Sequence, residues 1–194
     1  MYKRQGYDTD PAAREALGFG DDPRSQYGYW AERAEPRLEI RNCGVFGETT
    51  AQIASRLASC VRGGADALIV QGGINDIAQS LGGPPEASRL VVNEAAANSG
   101  RMIDAGKGLG LRVAVADVLP WNRGFPLAAP LIKRLNRLIE LTANLKGAPV
   151  LEFNEALADP RNPDLMRRPL TADGSHPSVA GYRRLGELVA QRFG

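Results

Sequence analysis

Apolar and polar residues follow a regular pattern from residue 37 onward, and the pattern predicts alternating strands and helices. RLEIRN at 37–42 alternates with a period of two, which predicts a strand. Residues 49–64 carry apolar residues at helical spacing, between a threonine that can cap a helix and a pair of glycines that can end it. ADALIVQGG at 65–73 is a continuous apolar run, typical of a strand that is buried on both faces.

The same alternation continues to the end of the chain. It predicts a helix over 87–106, a strand over 112–120, a helix over 127–146, a strand over 149–154 and a closing helix over 179–193. Strands that alternate with helices favour a parallel sheet with helices on both faces, so we expect an α/β fold of three layers. Such sheets collect functional groups on the loops beyond the carboxyl ends of their strands. We interpret the chain as a single domain with its core at 37–194.

The beginning of the chain has a different character. Residues 6–36 are rich in Gly, Pro, Asp and Arg, which predicts a polar loop followed by a short helix around Tyr27–Ala34. MYKRQ, read back as codons, resembles the end of a transposase sequencing adapter, so we expect Met1–Gln5 not to be native. The alternative is an ordinary polar tail.

Composition and charge exclude some classes of partner. The 194 residues are 43% hydrophobic and 24% charged, with a net charge of +2, so no basic excess points to nucleic acid. No apolar run has the length of about 18 residues that spans a bilayer, and no signal-peptide core is visible. The default location is the cytoplasm, with secretion open if a signal peptide precedes residue 6. Cys43 and Cys60 lack metal-binding spacing, so we expect two reduced, packed thiols.

Three short motifs on the predicted loops carry candidate chemistry. NCGVFGETT offers the backbone N–H of Gly47 at the start of a helix, although a glycine there also suits a plain turn. QGGINDI offers the Asn75 amide as a donor to a developing oxyanion, or an Asn that bonds its own backbone. DGSHP offers His176, the sole histidine, as a general base oriented by Asp173. The alternative there is a loop histidine beside an Asx turn.

GETT, G-I-N-D and D-G-S-H-P, in this order and at strand ends, resemble the GDSL/SGNH hydrolase family over about residues 37–194. The resemblance implies a flavodoxin-like sheet of order 2-1-3-4-5 and a Ser-His-Asp triad. It implies that Gly47 and Asn75 form part of the oxyanion hole, that His176 is the base and that Asp173 orients it. Asp76 is expected to hold its loop rather than to take part in the chemistry.

The first block of that family, a strand running into Gly-Asp-Ser, is not found. GDD at 20–22 would put Asp22 at the position of the serine in a degenerate protein, but the residues before it make a poor core strand. We therefore favour loss of the block in front of Gly6, so the nucleophile is unidentified. The central strand is then expected to be missing, which would leave bare edges on its two neighbours.

The resemblance implies hydrolysis of a small carboxylic ester, such as a short acyl ester, a carbohydrate O-acetyl ester or a lysophospholipid, without a metal or organic cofactor. Trp121, Asn122 and Arg123 are candidates for a substrate loop, or alternatively form a packed surface loop. A second hypothesis is a non-catalytic carbohydrate- or ligand-binding module on the same fold, with Asp22 in place of the nucleophile. A nucleotide binder of flavodoxin type is disfavoured because no phosphate-binding glycine motif occurs. The sequence predicts no oligomeric state.

Overall fold

The structure, a computed structural model, describes residues 22–194 and the backbone of Tyr2–Lys3. Residues 6–21, where the sequence predicts most of the polar loop, lie outside the described residues. Met1, Arg4 and Gln5 also lie outside them.

Five strands of the described part form a parallel sheet in the order β2-β1-β3-β4-β5. Their bounds are β1 Tyr2–Lys3, β2 Arg41–Asn42, β3 Ala67–Gln71, β4 Arg112–Ala116 and β5 Val150–Leu151. This is the flavodoxin-like order, and together with the helices on both faces it confirms the predicted three-layer α/β fold.

The central position of the sheet is occupied, so the expectation of a missing first strand is wrong. Tyr2 pairs with Arg41 on one side and with Leu68 on the other, and Lys3 pairs with Asn42. Two residues are enough to bridge the neighbouring strands, and the bare edges expected there are paired at these positions. Because β1 offers only two partners, the strand predicted over 37–42 shortens to Arg41–Asn42.

The helices of the described part cover both faces of the sheet. Their bounds are α1 Tyr27–Ala34, α2 Thr50–Ser55, α3 Leu57–Cys60, α4 Ile74–Ser80, α5 Pro85–Gly108, α6 Ala129–Leu145, α7 Phe153–Leu157 and α8 Val179–Phe193. Helix α8 and the short helix α1 match their predicted ranges. The helix predicted over 49–64 is instead two helices that meet at Arg56, whose backbone leaves the helical region.

Two apolar clusters fill the layers. On one face the buried side chains of α5 and α6, such as Ile103 and Leu135, pack against Leu68 and Val70 of β3. On the other face Tyr27 of α1 and Tyr182 of α8 pack against Ile69 of β3. Side chains of β3 alternate between the two clusters, as expected for a strand buried on both faces.

A small antiparallel hairpin, which the sequence pattern did not predict, lies between α7 and α8. Its strands are β6 Ala158–Asp159 and β7 Asn162–Met166. Among the helices that the structure describes, none is both long and apolar enough to cross a membrane.

Candidate active site

His176 and Asp173 lie on one tight loop, residues 171–176, which we call the Asp–His loop. His176 Nδ1 is 2.9 Å from Asp173 Oδ2. The second oxygen of Asp173, Oδ1, accepts the backbone N–H groups of Ser175 and His176, each at 2.8 Å. An ionised carboxylate only accepts, so the neutral imidazole carries its proton on Nδ1 and leaves Nε2 as the acceptor. This is the tautomer that a general base needs.

The Asp–His loop is closed by bonds within itself. Gly174 has a φ of +84°, in the left-handed region that favours glycine. Its N–H donates to the hydroxyl of Thr171 at 2.8 Å, and that hydroxyl donates to the carbonyl of His176 at 2.9 Å. Helix α8 begins directly afterwards, with the Ser178 hydroxyl accepting from the N–H of Gly181. The local sequence therefore fixes the shape of the Asp–His pair.

Asp173 is held in its charged form. Burial acts to raise the pKa of this carboxyl, but the His176 ring and the N–H groups of Ser175 and His176 together bring the pKa below its usual value. The side chains of His176 and Asp173 are each about a quarter exposed, so the pair is partly open to solvent.

The two predicted oxyanion donors meet at a second loop, residues 43–49, which we call the oxyanion loop. Gly47 adopts a φ of +78°, which suits glycine and turns the backbone at this point. The Asn75 side chain, in the first turn of α4, donates from Nδ2 to the carbonyl of Glu48 at 2.9 Å. This bond uses one of the two amide protons of Asn75 and fixes the direction of the other.

Arg56 binds two residues of the oxyanion loop. Its guanidinium forms an ion pair with the carboxylate of Glu48 and donates to the carbonyl of Cys43, with both groups largely buried. Cys43 and Cys60 form a disulfide with their Cα atoms 5.9 Å apart, so the expectation of two reduced thiols is wrong. The disulfide ties the start of the loop to helix α3. The two cysteines are 17 positions apart, and their spacing in the sequence does not predict the pairing.

Asp76 anchors the other end of the oxyanion loop. Its buried carboxylate accepts the N–H of Thr50 at 2.9 Å and the Thr50 hydroxyl at 2.7 Å. The same hydroxyl accepts from the side chain of Asn98. Asp76 therefore joins the N-termini of α2 and α4, the structural role expected for it.

The loop after β4 contacts the Asp–His loop. Trp121 Nε1 donates to the hydroxyl of Ser175 at 2.9 Å, and the Arg123 N–H donates to the carbonyl of Gly174 at 3.2 Å. The Asn122 amide is used on both sides by the backbone of Met166 in β7. These bonds favour the packed-loop interpretation for Asn122, whereas the Arg123 side chain is exposed.

Asp22 has a local partner. Its carboxylate accepts the backbone N–H of Arg24 at 2.9 Å and also forms an ion pair with the Arg24 guanidinium. Asp22 thereby caps a turn of 3-10 helix over Pro23–Ser25. The hydrogen bond from the Arg24 side chain is the chief cause of a lowered pKa for Asp22. These contacts give Asp22 a role in the turn.

The chain contains eight serines, and all of them lie within the described residues. The Ser175 hydroxyl accepts from Trp121. The others donate to backbone carbonyls; they are Ser25, Ser55, Ser59, Ser80, Ser88, Ser99 and Ser178. Each serine hydroxyl thus has a structural partner, and none is presented to a base as a nucleophile would be.

Asp117 is a second unusual carboxyl at the carboxyl end of β4. Burial raises its pKa to about 7, against the opposing effect of N–H groups from Asn154 and Phe153. Its Oδ1 accepts the Asn154 N–H at 2.7 Å and so supports the start of α7. Asp117 lines a groove of about 960 Å³ along the β5 edge, and no predicted site residue lines that groove. The carboxyl therefore has a structural role.

This burial predicts a pH dependence of stability. The folded-state pKa of about 7 lies above the ordinary value of 3.8, so the folded chain binds more protons between these values and loses stability as pH rises through them. Asp117→Asn keeps an oxygen for the Asn154 N–H but does not titrate. The free energy of unfolding of the native chain, minus that of the variant, is expected to fall by up to about 1.4 kcal/mol per pH unit between pH 4 and 7. Urea titrations across this range measure it, and a flat difference would contradict the assignment.

Comparison with known proteins adds an independent line of evidence. The sequence model of the GDSL-like lipase/acylhydrolase family matches residues 6–184. A GDSL-like lipase from Bacteroides thetaiotaomicron has 21% identity and a TM-score of 0.70, with 96% of this chain and 94% of that chain covered. An acetylxylan esterase from Geobacillus stearothermophilus has 18% identity and a TM-score of 0.67, with 87% and 78% covered.

The acetyl xylan esterase AlAXEase has 14% identity and a TM-score of 0.73, with 100% of this chain and 98% of that chain covered. At these identities the solved structures show a shared fold. No curated protein sequence matches the chain.

Proposed function

The chain belongs to the GDSL-like lipase/acylhydrolase family and is therefore an ester-bond hydrolase, and from this premise we propose that it acts by acyl transfer with His176 as general base. The observation that carries the proposal is the Asp–His loop, in which Asp173 holds the Nδ1 proton of His176 at 2.9 Å. In this tautomer Nε2 carries no proton, so it is suited to take one from an attacking hydroxyl. The same nitrogen returns the proton to the leaving alcohol.

We assign the oxyanion hole to the oxyanion loop. Negative charge develops on the ester oxygen as the tetrahedral intermediate forms, and fixed N–H donors stabilise it. The Gly47 N–H and the second amide proton of Asn75 are the donors. They belong to one rigid unit because Asn75 bonds to the Glu48 carbonyl and Arg56 holds Glu48. Rigid donors need no reorganisation when the charge appears.

We propose that none of the eight serines of this chain is the nucleophile, and the hydrogen bond that each hydroxyl makes elsewhere supports this. The family resemblance implies a serine in a strand that runs into Gly-Asp-Ser, and we propose that such a segment would supply the nucleophile if it took the place of Met1–Gln5 in front of Gly6. Asp22 as a substitute is disfavoured by its pairing with Arg24.

The substrate is proposed as a small carboxylic ester. Acetylxylan esterases are among the similar structures, which supports short acyl groups or carbohydrate O-acetyl esters. The Trp121 ring and the exposed Arg123 side chain lie beside the Asp–His loop, where they would meet such a substrate.

One experiment tests the proposal. The chain as it stands is compared with a version in which a strand ending in Gly-Asp-Ser replaces Met1–Gln5 in front of Gly6, using p-nitrophenyl acetate as substrate. We expect hydrolysis by the completed version and little by the chain alone. A matched version ending in Gly-Asp-Ala separates any effect of the replaced strand on the fold from supply of the nucleophile. Equal rates for the chain, the serine version and the alanine version would overturn the proposal.

A further inference from the structure

The Asp–His loop fixes its own shape, but its position over the sheet depends on contacts outside it. Two of these contacts come from residues 121–125, which we call the tryptophan loop. Trp121 Nε1 donates to the Ser175 hydroxyl at 2.9 Å, and the N–H of Arg123 donates to the Gly174 carbonyl at 3.2 Å. Ser175 and Gly174 directly precede His176, so these bonds act at the residues that set the place of the imidazole.

The indole of Trp121 is itself held in place. A Cβ atom added at Gly124 would lie 2.2 Å from the Trp121 ring, so the ring packs directly on the glycine backbone. The ring also packs against the apolar cluster between the sheet, α5 and α6. Because the ring is packed on two sides, the direction of its N–H is fixed, and the N–H points at the Ser175 hydroxyl.

The chain is also anchored just before the tryptophan loop and within it. Before it, the backbone of Val118 bonds to the Asn136 side chain through both its N–H, at 2.7 Å, and its carbonyl, at 2.9 Å. Within it, Asn122 accepts from the N–H of Met166 at 2.6 Å and donates to the Met166 carbonyl at 2.9 Å. Side-chain amides thus bind the chain to α6 before the loop and to β7 within it. These bonds restrict the movement of the loop.

We propose that Trp121 is a positioning residue for His176, acting through its hydrogen bond to Ser175. The inference rests on the proposed function for its catalytic meaning, but the bond and its effect on the imidazole can be measured without catalysis. The Trp121 ring then forms part of the wall of the site, and its N–H keeps the Asp–His loop seated so that His176 Nδ1 stays on Asp173. Loss of the N–H lets the loop open more often and exposes the Nδ1 proton to water.

The test uses the fact that His176 is the sole histidine, so its imidazole gives one set of NMR signals. Trp121→Phe keeps an aromatic ring on Gly124 but has no N–H, and Ser175→Ala removes the acceptor. One neutral hydrogen bond contributes about 1 kcal/mol, so each variant is expected to raise the exchange rate of the Nδ1 proton with water roughly fivefold. The double variant is expected to show no further increase, and Ser175→Thr, which restores a hydroxyl, is expected to stay near the native rate.

Trp30 provides a matched control, because its indole N–H also donates at 2.9 Å, to the carbonyl of Arg24. Trp30→Phe removes an equivalent bond elsewhere and is expected to leave the Nδ1 exchange rate unchanged. A native exchange rate in Trp121→Phe, or an equal increase in Trp30→Phe, would overturn the proposal.

A second readout uses the version completed with Gly-Asp-Ser. Trp121→Phe is expected to lower kcat roughly fivefold with KM unchanged, since positioning affects the base rather than binding. A raised KM with native Nδ1 exchange would instead make Trp121 only a substrate contact and would overturn the positioning role. If the exchange rate responds but His176→Ala leaves hydrolysis unchanged, the proposed function fails while the positioning role of Trp121 stands.

Discussion

Asp173→Asn is expected to lower kcat by about ten-thousand-fold while the Asp–His loop keeps its shape. The reason is that the two carboxylate oxygens have different partners, with Oδ2 facing His176 Nδ1. Oδ1 accepts two backbone N–H groups, at 2.8 Å each, and only an oxygen can do so. In the variant the amide oxygen must remain at that position, so the amide nitrogen turns toward His176. An NH₂ group facing Nδ1 forces the imidazole into the tautomer with its proton on Nε2, where it cannot act as a base.

Two measurements check this prediction. Hydrolysis of p-nitrophenyl acetate by the version completed with Gly-Asp-Ser gives the change in kcat, and ¹⁵N shifts of the sole histidine give its tautomer in the chain itself. Asp159→Asn is the matched control, because Asp159 also accepts a backbone N–H two residues ahead, at 2.8 Å, but has no histidine beside it. The control is expected to keep both the native rate and the native tautomer. An Asp173→Asn variant with unchanged tautomer and near-native kcat would show that Asp173 does not orient His176.

The sequence was informative where a contact is local or lies in a short motif. The Asp–His pair is separated by three residues, so its bond follows from one turn and could be predicted from DGSHP alone. Asn75 was predicted to donate to a developing oxyanion or to bond its own backbone; its amide donates to the carbonyl of Glu48, next to Gly47, and its role at an oxyanion stays a prediction. The long helices and the buried strand β3 followed from periodicity, because packing there obeys a single repeating pattern.

Contacts between distant parts of the chain were not predictable in the same way. The disulfide between Cys43 and Cys60 occurs together with a break of the helix at Arg56, whose guanidinium pairs with Glu48, and neither feature has a local sequence signature. The bond between Trp121 and Ser175 spans 54 positions and has no sequence signature. Strand β1 holds only two residues, too few for any alternation to appear, so its place in the sheet came from pairing with neighbours rather than from pattern.

The oxyanion loop therefore has more support than its motif implied. The disulfide and Arg56 fix its start, Asn75 fixes its middle through Glu48, and Asp76 fixes its end through Thr50. A loop held at three places can present an N–H donor with little conformational freedom, which is what stabilisation of an oxyanion requires. Of these ties the buried carboxylate of Asp76 can be removed by one substitution that leaves the disulfide and Arg56 in place.

Asp76→Ala is expected to lower the free energy of unfolding by about 3 kcal/mol, because it leaves two buried donors of Thr50 without an acceptor. Thr50 is fully buried, so water cannot replace the lost carboxylate. The variant also removes a negative charge from the N-terminus of α2, where such a charge is favourable. For a chain of this size the expected decrease in Tm is about 6 to 12 °C.

Asp104→Ala is the matched control, since Asp104 pairs with Lys146 at the surface with 59% of its side chain exposed. Exposed pairs contribute less than about 1 kcal/mol, so its Tm is expected to change little. The Tm of Asp76→Asn is expected to lie between those of the two alanine variants. Its single amide oxygen can accept either the N–H or the hydroxyl of Thr50 but not both in the native geometry, and Asn98 already donates to that hydroxyl. Thermal and urea unfolding of the three variants measure the order. If Asp76→Ala were no more harmful than Asp104→Ala, Asp76 could not be the anchor of the oxyanion loop, and Gly47 would depend on Arg56 and the disulfide alone.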